Sequence, residues 1–130
     1  MPRPVHFEIH ATDPTTVRPF YENLFGWRFQ QWGEMPYWLI STAPEGDGTP
    51  GIDGAMVPRP GPPAEDGQAV NAFVVTVDVP DCAGYLERAL AGGATLALPL
   101  QAVPGVGWLA YIKDPDGNIL GLMQNDPTAG

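Results

Sequence analysis

The feature that most constrains this chain is an internal repeat: residues 5–57 and 70–125 carry the same order of patterns. In the first segment the strand "VHFEI" is followed by Asp13, Pro14 and "TTVRPFYENLF", where Val17, Phe20, Tyr21, Leu24 and Phe25 recur at helical spacing. Gly26 supplies a C-terminal stop. A cap at Thr15 or Thr16 places Pro19 in the first turn, where its missing N–H has no intrahelical acceptor. Three short strands are expected after it, over 27–32, 37–42 and 52–57. The second segment opens with "AFVVTVDV" (72–79) and a helix over "DCAGYLERALAGG", striped by Cys82, Tyr85, Leu86, Ala89 and Leu90 and ended by Gly92 and Gly93. Strands over 95–100, 108–113 and 118–125 complete it, the last two joined by the turn "DPDG". Each βαβββ unit alone leaves a sheet face uncovered. The expectation is therefore one α+β domain, 1–130, of two modules side by side forming a curved sheet around a cleft, joined by a Pro/Gly-rich linker over 58–69.

Composition narrows the partners. With 130 residues and 44% hydrophobic content the chain is long enough for one core. Six Lys and Arg stand against 15 Asp and Glu, and the net charge of −9 disfavours nucleic acid and anionic membrane surfaces as partners. Arg3, Arg28, Arg59 and Arg88 are scattered and form no anion cluster. The single Cys82 has no internal disulfide partner, and its place in an apolar stripe reads as a buried structural thiol. The N-terminus lacks the basic start and apolar run of a secretory signal, and no apolar stretch approaches bilayer length. A cytoplasmic protein is expected. Neither a phosphate-cradling P-loop nor a serine nucleophile elbow occurs.

The first strand carries the candidate chemistry. Alternation turns His6, Glu8 and His10 to one face and Phe7 and Ile9 to the helix side. At ~3.3 Å per residue, His6 and Glu8 stand about 6.6 Å apart at Cα, and His6 and His10 about 13 Å. All three cannot close on one ion. His6 and Glu8 are either an acid-base pair, a two-ligand site completed by water or substrate, or part of a solvated strand face.

The fragments "HFEI", the Asp before the first helix, "FYENLFGW", "GGAT" and "VPGVGWLAYIKDPDGNILGLMQ", in this order, resemble the vicinal oxygen chelate superfamily, which holds glyoxalase I, extradiol dioxygenases and bleomycin resistance proteins. The resemblance spans roughly Val5 to Asn125. It implies a divalent metal held at four strand positions, which fall here on His6, Gly54, Ala72 and Gly121. Only His6 has a donor atom, so no cofactor is expected unless His6 and Glu8 together recruit a divalent metal.

The resemblance also puts His6 on a cleft face. Alternation then adds Glu8 and His10, with Ala72, Val74 and Thr76, Ile52, Gly54 and Met56, and Ile119, Gly121 and Met123 as an apolar lining. The two glycines and the alanine leave room for an uncharged, flat or bulky organic ligand. Trp32, Tyr37, Trp38 and Trp108 are candidates to stack on it, or are core residues. Three activities follow from the resemblance: a lyase or isomerase with His6 and Glu8 catalytic; a bleomycin resistance-like binding protein, whose acidic balance suits a cationic ligand; or a metal-dependent lyase or dioxygenase with ligands shifted to Glu8, His10, Asp53 or Asp78. It further implies a homodimer.

Overall fold

The computed structural model describes residues 2–130, which divide into two compact units, one ending at Pro63 and one beginning at Ala64. In the first, β1 (His6–Ala11) leads into α1 (Pro14–Phe25), then β2 (Arg28–Gln31), β3 (Trp38–Ser41) and β4 (Asp53–Pro58). The sheet order is β1-β4-β3-β2, with β1 and β4 parallel and the other pairs antiparallel. In the second, β5 (Val75–Asp78), α2 (Cys82–Ala91), β6 (Thr95–Val103), β7 (Gly107–Lys113) and β8 (Ile119–Asn125) repeat the scheme in the order β5-β8-β7-β6. These are the two βαβββ modules of an α+β fold.

Both helices start on aspartate. Asp13 accepts from Thr15 N at 3.0 Å and Thr15 Oγ1 at 2.6 Å, and Pro14 takes the first helical position. The expected cap at Thr15 or Thr16 is therefore corrected to Asp13, whose side chain reaches the first free N–H. As a result Pro19 lies inside α1 and not in its first turn, leaving the Thr15 carbonyl without a helical donor. Gly26 ends α1 in the left-handed region at φ 74°, its N–H bonded to Glu22 O. Asp81 caps α2 through Gly84 N at 3.2 Å.

The core lies on the helix side of each sheet. In module one, Val17, Phe20, Tyr21 and Leu24 of α1 are buried with Ile9, Ala11, Ile40 and Met56. Phe7 joins them through Trp27, which stacks in parallel on Tyr21 with centroids 5.4 Å apart. In module two, α2 packs on β6, β7 and β8, burying Cys82 and Ala89 with Ala110, Ile112, Leu120 and Leu122.

Several boundaries move, among them the end of β6, which runs on to Val103 beyond the expected 95–100. Pro58 belongs to β4 and Arg59 N bonds back to Ala11 O, so the first two residues of the expected linker are tied to the sheet. The expected strand from Ala72 starts only at Val75, because the ladder with β8 begins at the Val75–Leu120 pair. Among the described residues no helix is long and apolar enough to cross a membrane.

Candidate functional site

Register decides which side chains share a face. Along the β1–β4 ladder His6 pairs with Asp53, Glu8 with Ala55 and His10 with Val57. Laterally paired residues point the same way, so these six, with Leu39 opposite Ala55, form the helix-free face of module one. Glu8 stands at its centre between two imidazoles. Its Oε1 lies 3.6 Å from His10 Nε2 and its Oε2 4.0 Å from His6 Nε2, with all three side chains nearly half exposed. The nearer partner is His10, where the sequence had suggested His6. Arg59 steadies the end of this strand by donating to the His10 carbonyl at 2.9 Å. Asp53, beside His6, has one carboxylate oxygen engaged by Thr42 N at 2.8 Å.

The same ladder corrects part of the expected lining. Phe7 pairs with Gly54 and Ile9 with Met56, while Trp38 pairs with Met56. Gly54, Met56 and Trp38 thus lie on the helix side, and Met56 is fully buried there. Parity within β4 was read correctly, but its offset from β1 is one residue. Nor does Gly54 leave a void, since a Cβ there would stand 2.8 Å from the Phe7 ring.

Module two places Thr76, Gly121 and Met123 together on its helix-free face, as expected, with Tyr111 and Leu109 paired to Gly121 and Met123 from β7. Tyr111 was missed because an aromatic in a strand reads as core. It fills the space expected to be open: a Cβ on Gly121 would meet Thr76 Oγ1 at 2.9 Å and Tyr111 Cε1 at 3.0 Å. Trp108 pairs with Gln124 on the helix-side parity and donates to Asp126 Oδ2 at 3.2 Å, so it is not part of this face. Ala72 and Val74 precede β5 and are exposed, as is Phe73. Cys82 is buried, its thiol donating to Leu122 O at 3.4 Å, and burial pushes its pKa above the ordinary 9.0. Asp114 of the "DPDG" turn accepts from Asp116 N and Asn118 N, a structural role.

The caps align the modules with each other. His6 stands seven residues before Asp13, and the residue seven before Asp81 is Val74, which shifts the third chelate-equivalent position from Ala72. Glu8 and Thr76 both stand five before their caps and pair with Ala55 and Gly121, which shifts the second from Gly54 to Ala55. His6, Ala55, Val74 and Gly121 offer one donor among four. Among the described residues no three His, Cys, Asp or Glu are grouped to hold a metal ion. This donor set does not fit a chelated divalent ion.

Comparison with known proteins agrees with this architecture. The chain is 25% identical over 126 positions to CFP32 of Mycobacterium bovis and of Mycobacterium tuberculosis, a protein with a provisional glyoxylase name. The match covers 90% of this chain but 43% of theirs, so the chain spans less than half the length of these relatives. A glyoxalase-related enzyme from Fulvimarina pelagi superposes with a TM-score of 0.70 at 20% identity, covering 100% of this chain and 98% of that one. The fosfomycin resistance protein FosX from Listeria monocytogenes, solved with Mn(II) and sulfate, gives 0.72 at 16% identity, covering 97% and 92%. At such identities these structures show a shared fold. The family model of the Glyoxalase/Bleomycin resistance protein/Dioxygenase superfamily matches residues 3–122, and the chain belongs to that superfamily.

Proposed function

We propose that this chain is a lyase or isomerase acting on a small organic molecule without a resident metal, with Glu8 as general base flanked by His6 and His10. The observation that carries this reading is the Glu8 carboxylate lying 3.6 Å and 4.0 Å from two imidazole nitrogens on an open sheet face. Glu8 takes a proton from carbon next to a carbonyl, and His6 protonates the developing enolate oxygen. On an α-hydroxy ketone, return of a proton to the former carbonyl carbon and loss of the proton from the hydroxyl oxygen on the deprotonated carbon complete an internal isomerisation that needs no external oxidant or reductant. His10 acts by orienting Glu8. A cytoplasmic homodimer belongs to the same proposal, supported by the exposed Phe73, Val74 and Val75 beside the edge strand β5. Light scattering tests the dimer, and a monomer mass at micromolar concentration removes it.

The test of the chemistry is deuterium incorporation from D2O into a panel of α-hydroxy ketones. Wild type exchanges carbon-bound hydrogen, and Glu8→Gln loses about 100-fold or more. Equal rates in both proteins overturn the assignment of Glu8. A panel member that binds wild type without exchange favours the binding-protein reading, in which the chain sequesters its ligand.

A further inference from the structure

Asp–Gly steps occur four times in the chain, at 47–48, 53–54, 66–67 and 116–117. In such a step the aspartate side chain can react with the next amide nitrogen, because glycine puts no Cβ beside that nitrogen. The fold treats the four differently. Asp47 Oδ1 accepts from Thr49 N at 2.8 Å and Thr49 Oγ1 at 2.6 Å, bonds that hold its carboxyl below the ordinary 3.8 and so in the ionised form, which is slow to release water. Asp53 accepts from Thr42 N at 2.8 Å, and Gly54 is fixed inside β4 against Phe7. In the "DPDG" turn the nitrogen is engaged, Gly117 N donating to Asp114 O at 2.9 Å. Asp66 and Gly67 carry none of these restraints. They form the centre of a turn closed by Gln68 N on Glu65 O at 3.1 Å, with Gly67 in the left-handed region at φ 79°. The Asp66 side chain is fully exposed, with Lys113 Nζ 3.7 Å from its Oδ1, a surface pair that holds it weakly. Among the described residues no hydrogen bond engages its carboxylate or the Gly67 N–H.

We propose that Asp66 is a site of spontaneous isoaspartate formation in the native protein, singled out from the four Asp–Gly steps by its free carboxylate and the free N–H of Gly67. The Gly67 nitrogen attacks the side-chain carboxyl carbon of Asp66. The carboxyl oxygen leaves as water, taking the amide proton with it, and a five-membered succinimide closes. Water then opens the ring at either carbonyl. Attack at the side-chain carbonyl restores aspartate, and attack at the main-chain carbonyl leaves the chain running through the former side chain as isoaspartate. One water leaves and one enters, so the step needs no oxidant, reductant or enzyme. The product lengthens the backbone close to where the second unit begins at Ala64, and it moves the carboxylate that faces Lys113 at the end of β7. This inference does not depend on the acid-base reading of Glu8.

The test is prolonged incubation of the folded chain at neutral pH in water enriched in oxygen-18, followed by proteolysis and electron-transfer fragmentation, which locates both isoaspartate and the heavy oxygen that ring opening incorporates. In folded protein both should accumulate at residue 66 about tenfold or more faster than at 47, 53 or 116, because the other three steps must await local opening. In urea-unfolded protein, where no such restraint survives, the four rates should converge. Gly67→Asn places a side chain beside the nitrogen while tolerating the left-handed conformation, and a Cβ there meets nothing within 4 Å, so the turn keeps its shape. It should slow isomerisation at residue 66 and leave the other three rates unchanged. A folded rate at residue 66 no greater than at the other three steps, or an unchanged rate in Gly67→Asn, overturns the proposal.

Discussion

Gly54 sits directly beside Phe7 across the parallel β1–β4 ladder, so close that a Cβ on Gly54 would stand 2.5 Å from the Phe7 carbonyl oxygen and 2.8 Å from two of its ring carbons. The backbone oxygen cannot retreat without breaking the ladder, and the ring is held by Trp27. Gly54→Ala should destabilise the fold by about 1–3 kcal/mol through overpacking. Thermal unfolding checks this, with Gly48→Ala as control, where a Cβ meets nothing within 4 Å.

Metal content separates the acid-base reading from a chelate. Protein purified without an affinity tag should contain far less than one equivalent of divalent metal by elemental analysis, and His6→Ala should not change it. Near-stoichiometric metal that disappears in His6→Ala would overturn the metal-free reading. Because Thr76 and Tyr111 occupy the space beside Gly121, Gly121→Glu should not restore binding.

The cap of α1 should make stability depend on acid pH. Hydrogen bonds from the Thr15 hydroxyl and Thr15 N–H hold the Asp13 carboxyl below its ordinary 3.8. A depressed folded value means that this contribution is fully present above 3.8 and lost as pH falls through the lower value in the fold. Asp13→Ala should therefore lower Tm at pH 7, and the gap to wild type should narrow at the acid end of the range.

Cys82 should be inert in the native state. Its buried thiol, bonded to Leu122 O and pushed above pKa 9.0, has little thiolate at neutral pH. Alkylation by iodoacetamide at pH 7.5 should be at least ~100-fold slower in folded than in unfolded protein, because modification must await opening of the buried site. Comparable rates would show that Cys82 is accessible.

Much of the fold was legible because its signals are local. Helical spacing in "TTVRPFYENLF" placed Val17, Phe20, Tyr21 and Leu24 in the core, and Gly26 marked the end of α1. The start was less legible, since Asp13, Thr15 and Thr16 are all good capping residues and only the side-chain geometry separates them. In the site, alternation on one strand gathered His6, Glu8 and His10. It carried no information on whether Glu8 lies nearer to His6 or His10, which depends on rotamers set by the neighbouring strands.

Local patterns in the chain were enough to establish two βαβββ modules, the strand that carries His6, Glu8 and His10, and the lack of donor atoms at the glycine and alanine positions. Which residues face them follows from strand pairing. Side-chain alternation has period two within a strand, but the offset between strands belongs to the hydrogen-bond ladder, and a one-residue offset exchanges the two faces. The Phe7–Gly54 and Thr76–Gly121 pairs fix those offsets, sending Met56 into the core and Trp38 to the helix side, and bringing Tyr111 over Gly121.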